Sequence, residues 1–232
     1  MDKSRTLILV PVIHSSADLG SLAKDVAKKG IADLGEDVWE RHIQTIEGFW
    51  NAIIEYFNSL DVSGIKIYQD GMVAEGEMGH RIVEDCAKAG SRNYQLLFSL
   101  LNRGAVLQKT EDLKLVMKER DKLLSITKAK SNIHKILAFI KYKFTKAKLL
   151  NKRDHFIANR IKETLKPQEK GILFIGASHN IKSKLNSDIQ LKEVKDAQKI
   201  KQYQQLLLCK NKHKTSFEEL GRYLISKVNL KQ

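Results

Sequence analysis

Proline is almost missing from this sequence, with 2 in 232 residues beside 13 glycines. So few breakers leave no flexible linker, and a single α/β domain over 1–232 is expected. Cysteine is as scarce. Cys86 and Cys209 lie far apart, in neither metal nor redox spacing, so two free thiols and a reducing, cytoplasmic setting are expected. No apolar run approaches the ~20 residues of a membrane helix, so no transmembrane segment is expected. "TLILVPVI" comes after "MDKSR" in the manner of a leader. It is short, an acidic residue stands at position 2, and no small-residue cleavage site is present after it. A buried strand over Thr6–Ile13 is the better reading. Acidic residues are few in one half only. Residues 117–232 carry a net +18 and residues 1–116 a net −4, within +14 for the chain. That imbalance suits an anionic partner, a basic rim around a site for an anionic substrate, or simply a lysine-rich solvated surface.

Strand and helix signals alternate along the chain. Gly20 to Leu60 reads helical, because Val38, Ile46, Phe49, Trp50, Ile53 and Phe57 recur at three- and four-residue steps. "SGIKIYQDG" is a short strand ending at Asp70, and Glu75–Ala89 is helical. Ser91 is placed to cap the next helix, which Gly104 closes. Ala105–Lys109 is a third strand, with Thr110 as the cap of a new helix. Residues 113–166 form a long, basic helical insertion. "ILFIGASH" is a fourth strand, and "DIQLKEVKD" a fifth at an edge, its polar alternation suiting one exposed face. Two helices finish the chain, the second with Thr215 and Glu218 as a capping box. The class is α/β, with a central mixed, largely parallel sheet of four to five strands flanked by helices.

In such a sheet ligands bind beyond the carboxyl ends of the strands. There the first strand ends at His14, the second at Asp70, the third near Glu111 and Asp112, and the fourth at His179. Two imidazoles with a carboxylate suit a divalent transition metal (Mn, Co, Zn or Fe), and equally suit metal-free acid–base work. His14, Asp70 and His179 are the candidate metal ligands, and the alternative is that each histidine merely ends its strand. Gly176, Ser178 and Arg92 are candidate substrate contacts, since small residues in "GAS" let backbone approach a ligand. Glu75 is the candidate general base. Arg153 is either a clamp for a developing negative charge or an ordinary surface arginine of a basic helix.

Together these residues resemble a superfamily containing the TraB and pheromone-shutdown (PrgY) proteins, the TIKI proteases and GumN-like proteins. Haem-binding ChaN and the erythromycin esterases are more distant members. Gly176-Ala-Ser-His179 matches its final G-x-x-H motif, and "RDHFIANRI" its arginine helix, with Arg153 in the arginine place. Pro11-Val-Ile-His14 stands where G-x-x-H is usual, and Asp70 where a glutamate is typical. The resemblance implies a mixed α/β fold and a metal-dependent peptidase- or esterase-like hydrolase acting on a peptide or small molecule. The alternative is a binding protein. "TKAKSNIHKILAFIKYKFTKAKLLNKR" sets Ile133, Ile136, Leu137, Ile140 and Phe144 on one face among lysines, a pattern able to dock on nucleic acid or an anionic membrane.

Overall fold

A computed structural model describes residues 4–15, 17–18, 23–127, 132–207 and 214–229, and only the backbone of 122–127, 132–144 and 214. The apolar stripe from Ile133 to Phe144 and Cys209 therefore lie outside the described side chains.

The near-continuous apolar runs become strands buried on both faces, as a parallel sheet demands. They are β1 (Arg5–Val12), β2 (Lys66–Gln69), β3 (Val106–Gln108), β4 (Lys170–Gly176) and β5 (Ile189–Glu193). The order is β3-β2-β4-β1-β5, and every neighbouring pair is parallel. The expected mixed sheet is thus parallel throughout. The reason is that α-helices fill the connections from β1 to β2, β2 to β3 and β3 to β4, and such crossovers return the chain in the same direction. β4 reaches β5 through a loop with one short 3-10 turn, Lys182–Lys184. β1 and β4 run side by side from Thr6↔Lys170 to Val12↔Gly176, so the two histidine-ended strands are neighbours.

Helices α1 (Ala23–Leu34) and α2 (Glu36–Asn58) divide the single helix expected over 20–60. Gly35, between them, has φ +83°, a left-handed backbone that breaks the helix. Then come α3 (Gly76–Lys88), α4 (Arg92–Asn102), α5 (Leu113–Thr127), α6 (Asn132–Thr164), α7 (Ala197–Leu207) and α8 (Lys214–Ile225). Among the described residues no helix is long and apolar enough to cross a membrane.

Two caps differ from expectation. Thr215 lies inside α8 rather than at its start. Thr110 accepts from the amide of Gln69 and donates to the carbonyl of Gln108, so it staples β2 to β3. The cap of α5 is Asp112, whose Oδ1 takes the amide of Leu115 at 3.1 Å. Asp112→Ala is expected to lower stability by about 1 kcal/mol in urea denaturation, with little change in the slope. Ser91 does cap α4, accepting from the amide of Tyr94 at 3.4 Å.

The sheet divides two cores. On one face Phe49, Trp50, Ile53 and Phe57 of α2 pack with Leu97, Leu100, Tyr203 and Leu224 against Ile8, Val10 and Phe174. On the other, Ile157, Ala158 and Ile161 of α6, with Leu165 just past its end, cover Leu7, Leu9, Tyr68, Leu173 and Ile175. The four-residue step from Leu149 through Arg153 to Ile157, Ile161 and Leu165 is therefore one buried stripe, and Arg153 lies in it. Arg5 secures the amino edge. It grips Asp188 with two nitrogens and donates to the carbonyls of Lys162 and Leu165, closing the end of α6.

Candidate functional site

Side chains alternate along a strand, and the alternation decides which strand-end residues meet. On β1 the odd residues Leu7 and Leu9 face α6, while Ile8, Val10 and Val12 face the α2 and α4 side. On β2, Ile67 faces the α2 side and Tyr68 faces α6. Continued by one more alternation past Gln69, Asp70 emerges toward α6. The alternation stops where β1 ends: Ile13 packs beside Val12 on the α2 side, and His14 emerges on that side near Asp18.

Asp70 and His179 meet on the α6 side. His179 Nε2 lies 3.2 Å from Asp70 Oδ2, and its Nδ1 lies 2.5 Å from Asp154 Oδ1. The second oxygen of Asp154 takes the amide of Asn180 at 3.0 Å. Asp70 Oδ2 also accepts the amide of Gly176 at 3.3 Å. The Gly-Ala-Ser turn, closed by the amide of His179 donating to the carbonyl of Gly176, brings this backbone onto the carboxylate. Arg153 stands behind the pair. Its Nη2 donates to Asp70 Oδ1 at 2.5 Å and to Glu111 Oε1 at 2.6 Å, its Nε donates to Glu111 at 3.0 Å, and its Nη1 donates to Glu119. Neighbours on one helix, Arg153 and Asp154 thus serve opposite ends of one network.

The charges do not balance within this network. Four carboxylates, Asp70, Glu111, Glu119 and Asp154, face two cationic groups, Arg153 and His179. Burial works against the imidazolium of His179, yet the bonds to Asp154 and Asp70 outweigh it and raise the pKa to about 9. Burial likewise works against the Asp70 carboxylate, but His179 and Arg153 hold it well below the usual range. Glu111 goes the other way. Burial, aided by the charge of Asp70, outweighs Arg153 and pushes it up to about 7. Its Oε2 is buried without a hydrogen-bond partner among the described residues.

These observations test the divalent metal that the resemblance implies. Ligands about 2.0–2.2 Å from one zinc in tetrahedral geometry lie roughly 3.3–3.5 Å apart, close to the gap between His179 Nε2 and Asp70 Oδ2. A carboxylate behind the other ring nitrogen, here Asp154, is the usual support of a metal-bound histidine. Surplus carboxylate and the orphaned Glu111 oxygen also suit an added positive charge. Asp70 and His179 therefore fit as two donors. Among the described residues no three His, Cys, Asp or Glu side chains converge as a ligand set.

The other expected residues stand elsewhere. His14 is 65% exposed, with Nδ1 3.9 Å from Asp18 Oδ2. Asp18 in turn holds Ser15 and Ser91, on the α4 side. Glu75 accepts the amide of Lys109 at 3.0 Å and pairs with Arg160 at 3.5 Å, tying α3 to the end of β3. Arg92 engages Glu47, Gln95 and Asn51. Ser178 is exposed in the turn. Arg153 is not a surface arginine, for its side chain is 9% exposed. Asp154 and Glu119 carried no assigned role in the sequence. Adjacency to Arg153 on the buried stripe is the available signal for Asp154; for Glu119 there is none.

Fold and site together define the class: an α/β protein with a five-stranded parallel sheet and a buried histidine–carboxylate–arginine network at its carboxyl edge. Compared with known proteins, the chain matches no family model, and neither a curated protein nor a solved structure is significantly similar to it.

Proposed function

We propose that the chain is a metal-dependent hydrolase, peptidase- or esterase-like, of the TraB/TIKI-like superfamily that its histidine motifs resemble. The observation that carries this reading is His179 held between Asp154 and Asp70 where a parallel sheet presents its ligands. Asp70 and His179 would hold the ion, which supplies an acidified water and a Lewis acid for a carbonyl. Asp154 fixes the ring of His179 by accepting the hydrogen bond from its Nδ1, leaving Nε2 directed at Asp70. Arg153 and the amide of Gly176 fix the carboxylate of Asp70, so both reacting groups are set before substrate arrives. Without an ion, His179 is an imidazolium at neutral pH and can donate from Nε2 to a leaving group.

The test is metal content beside hydrolysis. The purified chain, without a histidine tag, is loaded with Mn, Co, Zn or Fe in turn and freed of excess. The expected result is close to one ion per chain, lost in Asp70→Asn and in His179→Gln with the circular dichroism unchanged, and hydrolysis of activated esters or peptides lost with it. His14→Ala is expected to leave the ion bound, because His14 emerges on the other side of the sheet beside Asp18. Hydrolysis that needs His179 but no ion would transfer the reading to metal-free acid–base chemistry. No bound ion and no hydrolysis would overturn it. Because the ion displaces a proton from His179, its apparent affinity should rise about tenfold per pH unit from pH 7 toward 9, measured by competition with a chelator indicator.

A further inference from the structure

One cavity lies away from this network and shares none of its residues. It is a cleft of about 760 Å³ between α2 and α8, floored by Tyr203 of α7. That size falls in the range of small-molecule sites, roughly 300–1,000 Å³. Its apolar lining comes from Val38, Tyr203, Phe217 and Ile225. The floor is fixed rather than soft. The Tyr203 hydroxyl bonds His42 Nδ1 at 3.0 Å, its ring stacks on Phe217 at 4.9 Å, and burial keeps His42 neutral by lowering its pKa to about 4.

Two features say what the cleft takes. Arg41 and Arg222 stand on its opposite walls, and neither guanidinium has a carboxylate partner among the described residues. Arg5, Arg92, Arg120, Arg153 and Arg160 have one, and Arg103 instead donates to the carbonyls of Phe57 and Leu60. Arg81 also lacks a carboxylate partner among the described residues but stands alone, whereas Arg41 and Arg222 line one cleft. Gly221 sits mid-helix in α8, where glycine costs about 1 kcal/mol against alanine. A Cβ there would meet nothing closer than Tyr203 at 3.9 Å and Thr45 at 4.0 Å. Packing against the neighbouring helices does not require the glycine, whereas a longer side chain would fill the cleft.

We infer that this cleft is a binding site for a small amphipathic carboxylate, its apolar body on Tyr203 and Phe217 and its head group on Arg41 and Arg222. An apolar wall orders the hydrocarbon, and a guanidinium fork on each wall offers the planar carboxylate a bidentate partner. One acidic residue, Glu218, lines the same cleft and sets a cost against a second negative charge on the ligand.

The experiment is calorimetric titration of the intact chain with decanoate, with 1-decanol as the uncharged counterpart. Saturable 1:1 binding of decanoate is expected. Arg41→Gln with Arg222→Gln should weaken it at least tenfold and leave the weaker binding of decanol within twofold. Gly221→Leu should abolish both, while Gly221→Ala keeps both and shows that the helix tolerates a side chain. Absence of saturable decanoate binding up to millimolar concentration would overturn the site. So would decanoate binding unmoved by the arginine variant.

Discussion

Arg153→Met should lower the unfolding free energy by about 3–5 kcal/mol, the usual cost of leaving buried charge uncompensated. The magnitude reflects the number of groups the guanidinium serves. One planar group carries Asp70, Glu111 and Glu119, and Glu111 is entirely buried. Without it three carboxylates face one another with only His179 beside them. Arg153→Lys should recover only part of the loss, because a single ammonium cannot occupy three acceptors held in different directions. Adding Glu111→Gln to Arg153→Met should return part of the stability, since burial already pushes Glu111 up to about 7 and the neutral amide removes the cost of protonating it there. Urea denaturation of the four chains checks this. An Arg153→Met chain within 1 kcal/mol of the parent would show the cluster to be solvated and not a buried network.

The second large effect is on the pH dependence of stability. His179 is 5% exposed, and its folded pKa of about 9 lies above the ordinary 6.5. A raised histidine contributes stability that is complete below about pH 6.5 and fades as pH rises through 9. The shift corresponds to about 3 kcal/mol. Glu111 acts in the same direction at lower pH. Its folded pKa of about 7 exceeds the unfolded 4.5, so the proton it keeps favours the folded chain until pH passes 7. Buried His42, with a folded pKa of about 4, gains stability up to pH 6.5 and offsets Glu111. Lys195, lowered to about 8, opposes the fall above pH 8. With a chelator present, unfolding free energy should therefore decline chiefly from about pH 6.5 to 8. In His179→Gln the fall above pH 6.5 should flatten. A parent chain equally stable at pH 6 and pH 9 would mean that His179 carries no proton when folded.

Much of this architecture could be read from residue patterns, and the exceptions have physical causes. The strands were visible because a doubly covered strand is apolar at every position, as in Leu7–Val10 and Ile172–Ile175. Asp70 and His179 were visible because strand ends in a parallel sheet converge. His14 shows the limit of that rule. Ending a neighbouring strand places a backbone beside the site, but β1 stops at Val12, and the chain beyond it, Ile13 included, turns to the α2 side and takes His14 with it. Arg153 was harder still. A charged residue on a lysine-rich helix looks solvated until its step from Leu149 to Ile157 is compared with the buried stripe. Glu119 lies 34 residues from Arg153, and only the packing of α5 on α6 brings them together. The break at Gly35 was missed because a lone glycine is tolerated inside a helical stretch, although the buried stripe begins only after it, at Val38.

The order β3-β2-β4-β1-β5 also has a consequence for biosynthesis. β1 is made first, and both strands that flank it, β4 and β5, begin only at Lys170 and Ile189. At about 5–20 residues per second, translation takes roughly 8–33 s to reach β4 after β1. Through that interval an eight-residue apolar strand waits on the ribosome with both edges open. Nascent-chain capture by a chaperone should thus concentrate on residues 5–12 and end once β4 has emerged.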